Sequence, residues 1–392
     1  MLAAFGDPGH AFPAIALGRE LAARGHDVCL QTWRKWRPQV EREGMSFAAA
    51  PEYPAFPTPG RPLKPYEAAV RAAAETRPLV RSFDPHAVVV DILTVAGALA
   101  AEAEDRPWAT LVPHVLPTPS PGFPPYSVGA RLPRTAMGRT LWQTLAPALR
   151  GGERRGREEL NGARWRVGLE PLDHLHGGIS HELALVATFP QLEYPRPARE
   201  PWVHVTGPLL WEQPFGEVEL PPGDEPLVLV APSTVQDPRG RLLAAALEGL
   251  AEEPVRVLAS SNRRASAAGG LRVPANARLV DWLSYAQTMP LCAMVVCHAG
   301  HGTVVRALSC GVPVVTCPVA GDMAENAARV AWARVGVSLP RRLITSRGVR
   351  LAVRRVLSDG EHARRARELG CWAEAHPGHV AAADAVEALA EA

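Results

Sequence analysis

The stretch His298-Ala299-Gly300-His301-Gly302-Thr303 decides how this chain is read. Before it stands Ala293-Met294-Val295-Val296-Cys297, an apolar run that reads as a strand buried on both faces. After it come Val304-Val305-Arg306-Ala307-Leu308, a helical run stopped by Gly311, and then the apolar run Val312-Pro313-Val314-Val315-Thr316-Cys317. Strand, glycine-rich turn, helix and strand make one α/β unit. The turn of such a unit leaves free backbone N–H groups at a helix N-terminus, and the helix dipole adds to their attraction for a phosphate. Gly300 and Gly302 would let the backbone approach the anion, while His298 and Thr303 would add side-chain donors. The plainer reading is a tight turn whose glycines serve geometry alone. Two histidines three apart also suit a metal, but no cysteine or carboxylate cluster lies nearby to complete the ligand set.

The same alternation extends outward in both directions. Met1 to Phe5 is a very short apolar start, too short for a comfortable central strand, and a few preceding residues are expected to be missing. A loop, Gly6 to His10, leads into a helix over about 11–24, with Pro13 in its first turn and Gly25 at its C-terminal cap. A strand over 26–32 completes a mononucleotide-binding start, placing His10 at a strand's carboxyl end. Ala87-Val88-Val89-Val90-Asp91 reads as a buried strand ending in a carboxylate, and Trp108 to Val112 as another. Residues 51–65 and 113–125 are proline-rich loops, and 136–182 is amphipathic and helical in pieces, with His174, His176 and His181 in a polar loop. A second series of strands begins at Leu227, after a proline-rich linker over 207–226. Helices over about 323–334, 346–358 and 361–391 finish the chain.

Length and composition agree with two domains. The chain has 392 residues, more than one ordinary core accommodates. Hydrophobic content of 47% and charged content of 21% suit a globular protein. A net charge of +2 gives no electrostatic case for nucleic acid. Of the 42 basic residues only Lys35 and Lys64 are lysines, so a lone arginine carries little information. The six cysteines form no C-x-x-C and read as reduced core residues. No secretory signal or membrane-spanning run is present, and a cytoplasmic enzyme is expected.

These residues resemble family 1 glycosyltransferases of the GT-B fold, above all the bacterial branch acting on small natural products. The resemblance runs along nearly the whole chain. It rests on Gly9-His10 with Pro13, Leu17 and Arg24-Gly25-His26; on Val90-Asp91; on Asp281-Trp282; on His298 to Thr303; on Gly311-Val312-Pro313; and on Gly321-Asp322 with Glu325-Asn326. It implies two Rossmann-like domains facing across a cleft. The acceptor domain is 1–206, the nucleotide-sugar domain 227–370, and a C-terminal helix over 371–392 crosses back to the first.

The resemblance also implies an inverting transfer from a UDP- or dTDP-sugar to a hydroxyl of a small hydrophobic or phenolic acceptor. His10 matches the general base and Asp91 the carboxylate that orients it, roles suited to a histidine titrating near neutral pH. The plainer readings are a helix-start residue and an N-cap. The Asp91 charge is expected to raise the His10 pKa against the lowering effect of the nearby helix terminus. His298, Gly300, Gly302 and Thr303 fall to the diphosphate, Trp282 to the base by stacking, Ser233 or Thr234 to the phosphate or sugar, and Asp322 to sugar hydroxyls. Gly9 and Leu283 complete the expected donor contacts.

No D-x-D occurs, so no metal is expected. Three departures from the family's plant members stand out. Arg306 replaces a ribose-binding Glu, Gly302 replaces an Asn, and Met323 replaces the Gln after the sugar-binding Asp. They leave the donor open. Two other classes remain open from sequence: a non-hydrolysing UDP-sugar epimerase of the same fold, and a non-catalytic nucleotide-sugar-binding protein. The expected assembly is a monomer or homodimer.

Overall fold

The computed structural model describes residues 1–392 except 52–65, 150, 174–177, 198–199, 215, 217, 234–236, 238–239 and 263–269. The proline-rich loop after residue 51, His174, His176 and Thr234 therefore lie outside the described residues.

Two all-parallel sheets organise the molecule. The first holds β1 (Leu2–Ala3), β2 (Cys29–Thr32), β3 (Ser46–Ala49), β4 (Val88–Asp91), β5 (Trp108–Val112), β6 (Leu183–Val186) and β7 (Val203–Val205), in the order β3-β2-β1-β4-β5-β6-β7. The second holds β8 (Leu227–Ala231), β9 (Arg256–Ser260), β10 (Ala277–Val280), β11 (Met294–Cys297), β12 (Val314–Thr316) and β13 (Gly336–Ser338), in the order β10-β9-β8-β11-β12-β13. Central strands such as β4, β8 and β11 are buried along their whole length, which explains their unbroken apolar runs. In each sheet the order reverses once, at β1/β4 and at β8/β11. Connections leave such a point toward opposite faces and open a crevice at the strands' carboxyl ends, where ligands of this architecture bind.

Three features depart from the sequence reading. Despite its length of two residues, β1 is central: Leu2 is aligned with Leu30 on one side and Val89 on the other. β3 and β13 have no forerunner in the periodicity. Both are edge strands, and their partly exposed residues form no apolar run. The single helix expected over 361–391 is two helices, Gly360–Ala375 and Gly378–Glu391. Pro377 separates them, having no N–H to donate and disfavouring helical geometry in His376 before it.

The last helix packs on Pro8–Ala23 of the first half. Arg24 Nη1 donates to Asp384 Oδ1 and Glu387 Oε2, each at 2.7 Å. Gly378 makes the crossing possible, since a Cβ there would stand 2.5 Å from the Pro208 carbonyl oxygen.

The two halves share one apolar seam. Val115, Phe189 and Leu192 of the first half belong to the same buried cluster as Val304, Val305 and Met323 of the second. Arg329, on the helix Met323–Ala333, donates to the Leu192 carbonyl at 3.1 Å and lies over the Tyr194 ring, 3.5 Å from its centroid. Adjacent residues tie the crossing chain to both sides. Trp211 Nε1 donates to Glu43 Oε1 at 2.7 Å, while Glu212 accepts from the Tyr285 and Ala286 amides at 2.8 Å.

Candidate active site

His10 is the third residue of the helix Pro8–Ala23, which begins where the chain leaves β1. Asp91 is the last residue of β4, the adjoining strand, and is buried. The β1/β4 reversal thus joins residues 81 positions apart: His10 Nδ1 and Asp91 Oδ2 are 2.7 Å from each other. Asp91 Oδ1 accepts from the Leu93 amide at 2.7 Å, which fixes the carboxylate. With Nδ1–H donated to Asp91, His10 Nε2 carries the lone pair, and the side chain keeps 19% of its exposure. Burial draws the His10 pKa down. The Asp91 charge and hydrogen bond, with the charges of Asp7 and Asp322, outweigh it and set the pKa above its ordinary value. Asp322 belongs to the second half, so its influence on His10 marks the place where the halves face each other.

Across the cleft, the chain leaves β11 through His298 and enters the helix His301–Ser309 with Gly300 at its N-cap. Gly300 has no side chain to cap the first-turn amides. A Cβ added at Gly300 or Gly302 would meet nothing within 4 Å, so packing inside the protein does not explain either glycine. The residue with left-handed backbone is instead the buried Ala299, at φ 64°. Half-buried Trp282 and buried Leu283 follow β10, and Gly9 is exposed beside His10. Asp322 occupies the N-cap of the helix Met323–Ala333 and accepts from Asn326 Nδ2 at 3.0 Å.

His298, expected to donate to a diphosphate, is 2% exposed, and its Nδ1 accepts from the Ser233 amide at 2.7 Å. Its Nε2 lies 3.3 Å from Asp237 Oδ2, whose carboxylate also accepts from the Arg241 and Leu242 amides. In this arrangement His298 ties Ser233 and Asp237, which follow β8, to the end of β11. Arg306 also faces elsewhere, donating to the Trp211 carbonyl at 2.8 Å.

Several groups here were given no role by the sequence. His114 stands two residues beyond β5, with Nδ1 2.8 Å from the Val115 carbonyl and 3.2 Å from the Tyr126 hydroxyl. His301 Nε2 lies 3.3 Å from the Ala187 carbonyl of the first half; burial, with the charge of His114, pulls its pKa down to about 4. Half-buried Glu193 accepts from the Leu116 amide at 2.7 Å, beside Arg329. A polar residue directly after a buried strand was the available signal for His114; for the others the signal is purely spatial. His181 stacks on Trp202 and borders a groove of about 560 Å³ with Glu102 and Trp108. That groove adjoins the start of β5, at the other end of the strand from His114.

Among the described residues no three His, Cys, Asp or Glu side chains are grouped to hold a metal, and no helix is long and apolar enough to cross a membrane.

Known proteins bear on the same two halves. Residues 1–106 match the glycosyltransferase family 28 N-terminal domain, and residues 245–389 match the erythromycin biosynthesis protein CIII-like C-terminal domain. The chain is 28% identical to the 4'-demethylrebeccamycin synthase of Lentzea aerocolonigenes, over 92% of each chain. It is 30% identical to the O-mycaminosyltylonolide 6-deoxyallosyltransferase of Streptomyces fradiae, over 94% of this chain and 92% of that one. The crystal structure of the glycosyltransferase VinC in complex with dTDP superposes with a TM-score of 0.69 at 19% identity, covering 100% of this chain and 98% of the other. With its two parallel-sheet halves, the matching domain models and a full-length relative at 30% identity, the chain belongs to the family 1 glycosyltransferases of the GT-B fold that act on bacterial natural products.

Proposed function

We propose that this enzyme transfers a sugar, with inversion, from a UDP- or dTDP-sugar to a hydroxyl of a small hydrophobic or aromatic natural product. The acceptor hydroxyl gives its proton to His10 Nε2 as its oxygen attacks the anomeric carbon. The bond from that carbon to the diphosphate breaks, and the electron pair leaves with the diphosphate. Asp91 orients the imidazole and stabilises the imidazolium that forms. The first-turn amides of the helix His301–Ser309, with Thr303, receive the charge that develops on the leaving group. Trp282 and Leu283 border the nucleoside, Ser233 the phosphate side, and Asp322 the sugar. No metal is required in this scheme, in keeping with the missing D-x-D.

The observation that carries the reading is the 2.7 Å His10–Asp91 pair at the β1/β4 reversal, within the field of Asp322. The dTDP bound by VinC and the deoxyallosyl group in the Streptomyces fradiae relative's name support a thymidine-linked deoxysugar as donor. Neither relative favours an epimerase. Incubation with UDP-glucose or dTDP-glucose, a mixed panel of phenols and chelator, followed by mass spectrometry, tests the proposal. A hexose added to the acceptor supports it. An isomerised donor, or retained binding without turnover, overturns it.

A further inference from the structure

We propose that His114 and Tyr126 form a second polar wall of the sugar pocket, opposite Asp322, and read hydroxyl groups of the transferred sugar. The inference rests on the transferase reading and deepens it.

Three adjacent strands carry polar residues at their carboxyl ends: β1 leads to His10, β4 ends in Asp91, and β5 leads to His114. Asp91 and Leu111 are register partners, so His114 emerges on the same rim as the His10–Asp91 pair. His114 lies within the electrostatic reach of His10 and Asp91 on one side and of Asp322 on the other, and His301 in turn feels His114. The transferred sugar must lie between the turn that receives the diphosphate and His10. His114 borders that space.

The hydrogen-bond chemistry is determined by one neighbour. A carbonyl oxygen only accepts, so Nδ1 of His114, 2.8 Å from the Val115 oxygen, must carry the proton. The Tyr126 oxygen, 3.2 Å from the same Nδ1, is then an acceptor there, and its own hydrogen is directed elsewhere. Nε2 keeps a lone pair and bonds to no other described residue. Burial lowers the His114 pKa and raises that of Tyr126, so near neutral pH the imidazole is uncharged and the phenol keeps its hydrogen. The wall thus offers one acceptor next to one donor. Neighbouring sugar hydroxyls satisfy both; a deoxy position satisfies neither.

Met323 strengthens the case. It directly follows Asp322, is only 8% exposed, and is packed into the seam cluster, so it supplies no donor to a sugar. The position beside Asp322 thus adds no polar side chain to the pocket, and the first half can supply one.

The test uses UDP-glucose and dTDP-glucose, their 2-, 3-, 4- and 6-deoxy analogues, and UDP and dTDP alone. Titration calorimetry on the full chain would compare wild type with His114→Ala, His114→Gln and Tyr126→Phe. Loss of one neutral hydrogen bond should weaken the glucosyl donors by about 3- to 10-fold, with UDP and dTDP binding unchanged. For one deoxy analogue, His114→Ala and wild type should bind alike, and His114→Gln, which keeps an acceptor, should recover part of the loss. Tyr126→Phe removes a single oxygen and reports on the wall even if His114→Ala fails to fold. Equal losses for every donor and for the bare diphosphates, or no loss at all, would overturn the assignment. These are binding measurements, so they stand apart from the transfer assay: an enzyme that binds donors but moves no sugar refutes the transferase reading, not the polar wall.

Discussion

The two halves place a histidine and an aspartate at the same topological point and use them differently. At the β1/β4 reversal, His10 keeps 19% of its side chain exposed and bonds to buried Asp91 through Nδ1, leaving Nε2 toward the cleft. At the β8/β11 reversal, His298 is 2% exposed, and both ring nitrogens face groups of its own half, Ser233 and Asp237. A reversal point makes a crevice, and exposure decides what the histidine in it does. The open imidazole can exchange a proton with a ligand; the closed one holds a loop. In the proposed scheme the backbone amides at Gly300 to Thr303 take the place of a reactive side chain on the donor side.

The largest effect should follow from breaking the open pair. His10→Ala is expected to lower turnover by roughly 10²–10⁴, the usual range for a general base, with donor affinity nearly unchanged. The loss should be smaller on acidic phenols, which ionise more readily. Asp91→Asn should also remove most activity and shift the acid limb of the kcat/KM profile. Asp91 raises the His10 pKa, so removing its charge should move that limb to lower pH. An acid limb that stays in place in Asp91→Asn would mean that the pair does not govern the base.

Gly302→Val tests the donor side. Open space surrounds the missing Cβ, so the fold should tolerate the substitution. A valine there obstructs the amides. Loss of one hydrogen bond to a charged group corresponds to roughly 1.5–3 kcal/mol, or about 10- to 150-fold in UDP or dTDP affinity. Calorimetry showing undiminished diphosphate binding would remove this turn from the site.

His298→Ala sharpens the contrast with His10→Ala. It leaves the Ser233 amide without its acceptor, so the expected loss is stability, about 1–3 kcal/mol, with turnover at saturating donor reduced less than in His10→Ala. Thermal melts and kcat measured together decide this. A stable variant with a collapsed kcat would return His298 to the chemistry.

The smallest effect concerns the seam. The folded-state pKa of His301, about 4, lies below the ordinary value near 6.5, so between these values the unfolded chain binds the additional proton. Stability should therefore fall as pH drops from about 6.5 toward 4, and less steeply in His301→Gln. Melting curves of equal slope for both proteins over that window would show that His301 does not set the acid response.

Much of the fold was legible because parallel strands buried on both faces must be apolar throughout. Leu227 to Val230, Val88 to Val90 and Met294 to Cys297 showed this directly. Edge strands bury little, and β3 and β13 left no such trace. His10 and Asp91 were legible because each stands where an apolar run ends. His298 stands at such an end too, and its burial is not written in its own neighbourhood.

By itself, then, the sequence determined the local units: which buried segments are strands, where glycines stand at a helix terminus, and which polar residues lie at carboxyl ends. Only the tertiary structure decided which of these residues meet, and in what state. It brought Asp91 to within 2.7 Å of His10, turned His298 inward to Ser233, and brought His114 and Asp322 from opposite halves within electrostatic reach. The physical reason is that periodicity is a property of a few consecutive residues. Burial, tautomer and pKa depend on groups tens to hundreds of positions away, which become neighbours only when each sheet forms and the two halves close on their common seam.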